Sequence, residues 1–250
     1  MVAQPEIRIA PDREALALLA AEEFAARAEQ AIAARGAFAV ALSGGSTPKE
    51  LYTLLASDEQ PFRRRIAWPQ VHFFWGDERH VPPDDPQSNY RMTLEAMLSK
   101  LPIAAENVHR ILAEKSDAAE AASAYEQTLR DDFHLSLGEL PRFDLVLLGL
   151  GPEGHTASLF PGNSVARDAS RLVAAPWVEK LNSFRITLTP AVINHAARVA
   201  FLVGGADKAE IVAEIVRGPY RPDELPAQCV RPELTSVVWL LDRGAASKLA

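Results

Sequence analysis

Cysteine is nearly missing from this chain of 250 residues: Cys229 is the single one. An intramolecular disulfide is thereby excluded, as is a zinc site built on cysteine pairs. Long apolar runs are missing as well, and no segment approaches the ~20 residues that a transmembrane helix needs. The opening stretch MVAQPEIRIA has no basic start followed by an apolar core, so no signal peptide is expected and the cytoplasm is the simplest compartment. An excess of positive charge is also absent. Lys plus Arg is 26 against 33 for Asp plus Glu, a net charge of −7. That balance argues against general nucleic-acid or anionic-membrane binding, while leaving room for a local cluster of cations around a phosphate.

Several catalytic signatures are lacking too. No Gly-Lys-Ser/Thr follows a glycine-rich turn, so there is no Walker-type nucleotide site. GGSTP lacks the closing glycine of a nucleophile elbow, which leaves Ser46 a poor serine nucleophile. His72, His109, His134 and His195 show no metal-ligand spacing, and no H-E-x-x-H occurs. Neither a metal nor a cofactor is expected.

What is present is an alternation of strands and helices. PDREALALLAAEEFAARAEQAIAARG reads as one amphipathic helix capped by Asp12 and ended by Gly36. AFAVALS, VHFFW, FDLVLLGL, SFRITLTP, RVAFLVGG and SVVWLLD read as strands. TPKELYTLL, PQSNYRMTLEAMLSKL, SDAAEAASAYEQTLRDDF and DKAEIVAEIVRG read as helices, and the Pro-rich residues 219–232 as a surface loop. This order predicts an α/β fold with a mostly parallel sheet covered by helices on both faces. No linker or repeat divides it, so a single domain over residues 1–250 is expected. In such sheets ligands sit beyond the carboxyl ends of the strands, where three polar turns fall here: SGGSTP, GDERH and GLGPEGH.

Each turn has a plain reading beside a chemical one. In SGGSTPKE, Gly44 and Gly45 permit a tight turn, Thr47 suits an N-cap, Pro48 the first helical position, and Glu50 a capping box. The same helix start, at Ser46, favours an anion such as phosphate. In GDERH, Arg79 offers fixed charged donors to a phosphate or a developing oxyanion, and Asp77 could orient it or take a proton. A surface salt bridge is the plain alternative for Asp77, Glu78 and Arg79. GLGPEG fits G-x-G-x-x-G, yet Pro152 removes a backbone donor, Glu153 places a negative charge where a pyrophosphate would lie, and no acidic residue follows at the right distance. A turn that projects His155 into the cleft as a general base, with Glu153 beside it, fits better, although a structural histidine stays open on spacing alone. Arg185 and Lys208 read as surface cations unless an anion lies between them.

Together, ALSGGSTPKELY, HFFWGDERHVPPDDPQSNYRM, FDLVLLGLGPEGHTASLFPG and RITLT…VAFLVGGADKAEI resemble the 6-phosphogluconolactonase family, within the glucosamine-6-phosphate isomerase/6-phosphogluconolactonase superfamily. The resemblance runs from about residue 37 to about residue 241. It implies a three-layer Rossmann-like fold without a nucleotide, and hydrolysis of 6-phospho-D-glucono-1,5-lactone to 6-phospho-D-gluconate in the oxidative pentose phosphate pathway. It places the histidine base on His155, the active-site arginine on Arg79 and its acidic neighbour on Asp77. Glu153 stands where the family carries aspartate. The phosphate falls to Gly44, Gly45, Ser46, Arg185 and Lys208. The expected partner is a phosphorylated sugar lactone, and the expected active unit is a monomer. Two rivals come from other classes. One is a glucosamine-6-phosphate isomerase-deaminase, which in its own branch carries an aromatic residue where this chain has Arg79. The other is a sugar-phosphate-binding regulatory module, which would not need His155 together with Arg79.

Overall fold

The computed structural model describes residues 5–168, 170–232 and 235–249. Residues 1–4, part of the stretch in which no signal peptide is expected, lie outside these. Six parallel strands form the main sheet: β1 (Glu6–Ala10), β2 (Phe38–Leu42), β3 (Val71–Trp75), β5 (Leu145–Leu148), β9 (Val199–Val203) and β10 (Val237–Asp242). The spatial order is β1-β10-β9-β5-β2-β3. Every residue of β5, β9 and β10 is buried, as strands covered on both faces require. Edge strand β1 alternates instead.

The covering helices are α1 (Arg13–Arg35), α2 (Ser46–Leu55), α3 (Phe62–Arg65), α4 (Asn89–Ala96), α5 (Ala118–Asp132), α6 (Pro190–Asn194) and α7 (Ala209–Arg217). The expected caps of α1 are in place. Asp12 accepts from the Ala15 amide at 2.8 Å, and Gly36 closes the helix at φ 78°. The alanine-rich face of α1 lets the helix sit close to the sheet, with Ala17, Ala20, Ala21, Ala25 and Ala28 all buried.

Two expectations about strands are corrected. Asp77, Glu78 and Arg79 are not a loop following a strand; they form a short strand, β4 (Asp77–Arg79). SFRITL, β8 (Ser183–Leu188), lies outside the parallel sheet and pairs antiparallel with β4 and with β6 (Val173–Ala174). β7 (Trp177–Val178) pairs with β8 as well. The physical reason is chain direction. Gly76 turns the backbone out of β3, and its carbonyl accepts from the Leu188 amide, seeding a separate small sheet across the cleft. The segment 219–232 is also more than a surface loop. Leu225, Pro226, Ala227 and Gln228 are buried, and the Ala227 amide donates to the Gly154 carbonyl at 2.9 Å. It backs the turn that carries His155.

Along the main sheet, β2 leads to β3 on one side, while β5 leads to β9 and β10 on the other. The topology therefore switches direction between β2 and β5, where a crevice opens at the carboxyl edge.

Candidate active site

A cleft of about 670 Å³ occupies that crevice. Its lining includes Gly44, Gly45, Ser46, Asp77, Arg79, Glu153, His155, Arg185 and Lys208, so all nine expected residues meet in one place.

Glycine is required where backbone and side chains crowd. A Cβ on Gly44 would lie 1.9 Å from Asn89 Oδ1, so only glycine admits the Asn89 amide beside the turn. Gly45 takes φ 106° and is itself the N-cap of α2. That corrects the expected capping box. The helix begins two residues earlier than Thr47 would dictate, Pro48 falls inside its first turn, and no side chain caps it. Glu50 instead pairs with Arg13 at 2.8 Å, and Arg13 Nη2 donates to Ser46 Oγ at 2.9 Å. With no acidic residue in its first turn and no cap, α2 presents free amides and the positive end of its dipole to the cleft.

Gly151 and Gly154 shape the third turn. A Cβ on Gly151 would lie 2.0 Å from the His155 ring, so the imidazole rests directly on the glycine. Gly154 takes φ 81° and lies under Leu225. The Gly151 amide donates to the His155 carbonyl at 2.8 Å, the Gly154 amide to the Gly151 carbonyl at 3.1 Å, and Thr156 Oγ1 to the Gly149 carbonyl at 2.8 Å. The glycines that imitate a nucleotide fingerprint thus build a closed turn around a histidine. Phe160 stacks against its ring at 4.3 Å.

Nδ1 of His155 is covered and lies 3.0 Å from Glu153 Oε2, close but not aligned as a hydrogen bond. Glu153 is also in contact with Lys180. Nε2 is then the nitrogen left for a reacting molecule. Burial holds the imidazole well below its usual range, down to about 4; Asp77 pulls it up, while Lys208, Arg185 and Arg79 push it further down. The side chain is therefore neutral at pH 7, with a lone pair available.

Asp77 is buried and held in place: Ser158 Oγ donates to its Oδ2 at 2.7 Å and Asn89 Nδ2 to its backbone carbonyl at 2.9 Å. Glu78 is not a surface ion-pair partner. It is 2% exposed and accepts from the amides of Asn89 at 2.7 Å, Tyr90 at 2.8 Å and Arg79 at 2.9 Å, fastening β4 to the start of α4.

Arg79 and Arg185 are directly opposed across the β4–β8 pair. Like charges opposed in this way repel, and both burial and Arg79 lower the basicity of Arg185. Lys208 lines the same cleft from the turn before α7. Three cations thus line one cleft, and an anion there would relieve their mutual repulsion.

Four contributors were given no role in the sequence. Arg13 and Lys180 lie outside the four motifs, while Asn89 and Ser158 lie within SNYRM and HTASLFPG without an assigned part; all four line the cleft. Only the fold reveals that Arg13 reaches Ser46 across 33 positions and Ser158 reaches Asp77 across 81. Among the described residues, no helix is long and apolar enough to cross a membrane.

Residues 11–239 match the family model of glucosamine-6-phosphate isomerases/6-phosphogluconolactonase. A 6-phosphogluconolactonase of Nostoc sp. is 37% identical over 98% of both chains. One from Synechocystis sp. is 41% identical over 89% of both. The solved structure of 6-phosphogluconolactonase from Trypanosoma brucei superposes with a TM-score of 0.86 at 31% identity, covering 99% of each chain. Family model, relatives and architecture agree, and the chain belongs to the 6-phosphogluconolactonase branch of the glucosamine-6-phosphate isomerase/6-phosphogluconolactonase family.

Proposed function

We propose that the cleft hydrolyses 6-phospho-D-glucono-1,5-lactone to 6-phospho-D-gluconate in the oxidative pentose phosphate pathway, with His155 as the base that activates water. The activity is that of 6-phosphogluconolactonase. The observation that carries this reading is the juxtaposition of a neutral, glycine-seated imidazole with a three-cation pocket and an uncapped helix start in one cleft.

The 6-phosphate binds Arg185, Lys208 and the amides of Gly45 and Ser46, while Arg13 orients the Ser46 hydroxyl. Anchoring that end places C1 of the lactone near His155, converting an encounter into a positioned reaction. His155 Nε2 takes a proton from water as the oxygen attacks C1. The carbonyl oxygen becomes an oxyanion, stabilised by Arg79. The C1–ring-oxygen bond then breaks, and the imidazolium returns its proton to the departing ring oxygen. The new carboxylic acid ionises in water. The charge of Glu153, 3.0 Å from Nδ1, favours the proton on that nitrogen, and its longer side chain relative to the family's aspartate is braced by Lys180. A lactone is an activated ester, so this route needs no covalent nucleophile, cofactor or metal. The working unit is one domain of one chain, acting as a monomer in the cytoplasm.

Phosphate binding has a second consequence. A dianion between Arg185 and Lys208 offsets the cations that depress His155, so the bound substrate makes its own base stronger. The test is a coupled assay in which glucose-6-phosphate dehydrogenase generates the lactone and its decay is followed with and without the protein. Decay well above the spontaneous rate, with no ammonia released from glucosamine-6-phosphate, is the expected result. Decay at the spontaneous rate would refute the proposal. Binding of 6-phosphogluconate without turnover would favour a regulatory module.

A further inference from the structure

Two histidines with no shared ligand spacing in the sequence meet outside the cleft. We propose that His72, His109 and Asp132 form a binding site for a divalent transition-metal ion of the zinc class, with a fourth position open to water.

The geometry is that of a coordination sphere. His72 Nδ1 lies 3.2 Å from His109 Nε2, His109 Nε2 lies 3.3 Å from Asp132 Oδ1, and His72 Nδ1 lies 3.7 Å from the same oxygen. Ligand atoms bound tetrahedrally at ~2.0–2.1 Å from zinc stand ~3.3–3.4 Å apart. One ion at the centre of the triangle therefore reaches all three atoms with little movement. The donor set suits the ion as well: two imidazoles and one carboxylate favour zinc over magnesium or calcium, which prefer all-oxygen sites.

Each ligand rests on a supported element. His72 is on β3, the edge strand of the parallel sheet. The His109 amide donates to the Phe73 carbonyl at 2.8 Å, and its ring stacks on Phe74 at 4.3 Å. Asp132 is the last residue of α5, which is fixed to the strand where Tyr125 Oη bonds the Trp75 amide and carbonyl at 2.8 and 3.0 Å. Side-chain exposures of 30%, 12% and 23% for His72, His109 and Asp132 leave the site partly dehydrated yet open for a water ligand.

None of the three residues lines the catalytic cleft. His72 is near the amino end of β3, whereas the cleft opens at its carboxyl end. An ion here would clamp the end of α5 to the sheet edge; it would not take part in lactone hydrolysis.

The test uses chelator-treated full-length protein, with zinc followed by equilibrium dialysis and cobalt(II) as the spectroscopic probe. One equivalent of zinc should bind, and saturating zinc should raise the melting temperature by ~5 °C. Cobalt should give the intense visible absorption of a tetrahedral site. His72→Ala and His109→Ala should each weaken binding by about 100-fold or more, while His155→Ala leaves it unchanged. The metal-free melting temperatures of the His72 and His109 variants show whether they fold; if either does not, His72→Gln and Asp132→Asn replace it. Absence of binding at high micromolar zinc overturns the proposal. So does binding that survives both histidine substitutions, because the ion would then lie elsewhere.

Discussion

His155 shows how much chemistry one buried ring can carry. Its pKa falls to about 4 because burial opposes charging and the nearby cations add to that, Asp77 alone pulling the other way. An NMR titration of the free protein should therefore find this imidazole titrating near 4, and inorganic phosphate should move it upward by neutralising Arg185 and Lys208. A free value near 6.5 that phosphate leaves unmoved would remove the basis for a substrate-strengthened base. The unfolded chain binds the proton with a pKa near 6.5 and the native one near 4, so His155 lowers stability progressively as pH falls from about 6.5 to about 4. At this scale the sequence was informative where a motif is local. His155, Glu153 and their glycines lie within seven residues, as do Gly44, Gly45 and Ser46. The parts played by Arg13 and Asn89 were not legible, because their place in the site depends on how α1 and α4 pack.

Among the elements, turns do more than helices or strands to set the site. Gly151 is the sharpest case, since any Cβ there would collide with the imidazole. Gly151→Ala should displace His155 and lower kcat by about 10²-fold or more, while circular dichroism and the melting temperature change little; near-normal turnover would show that the ring has another way to seat. The helices were largely readable from periodicity and caps, as Asp12 and Gly36 of α1 show. The start of α2 was misread, because a glycine N-cap with an uncapped first turn is the opposite of what Thr47 and Glu50 suggest as a pair. That departure falls at the proposed phosphate site, where a broken local rule accords with function. β4 escaped notice because a strand of 3 residues has too little pattern to read, and the alternation of SFRITL indicates a strand without naming its partner.

The whole molecule depends on a sheet buried on both faces, and its class was legible from the alternation of apolar runs with helices. Less visible was the ionic cluster beneath it. Glu23, 4% exposed, accepts from Arg198 Nε at 2.9 Å, Arg27 Nε at 3.0 Å and Arg8 Nη1 at 2.8 Å, while Glu6 joins Arg198 to Arg8. The partners lie as far apart as residues 23 and 198, a pairing no local pattern announces. Burial pushes the Glu23 carboxyl up, but Arg198, Arg27 and Arg8 more than reverse it. Its contribution is therefore present above about pH 4.5 and is lost as pH falls through the lower native value. Glu23→Ala removes one of the two carboxylates that hold buried Arg198, leaving it Glu6, whereas Arg8 and Arg27 can reach water. Urea unfolding should show a loss of about 2 kcal/mol, with lactone hydrolysis by the folded fraction retained; a loss under about 0.5 kcal/mol would mean that Glu6 alone satisfies the guanidinium.

The most direct measurement is the lactonase activity of His155→Ala, made in the coupled assay on protein whose folding has been checked by its melting temperature. General acid–base catalysis supplies ~10²–10⁴ in rate, so kcat should drop by about that factor while phosphate still binds. Turnover within about threefold of the unaltered protein would contradict the assignment of His155 as the base.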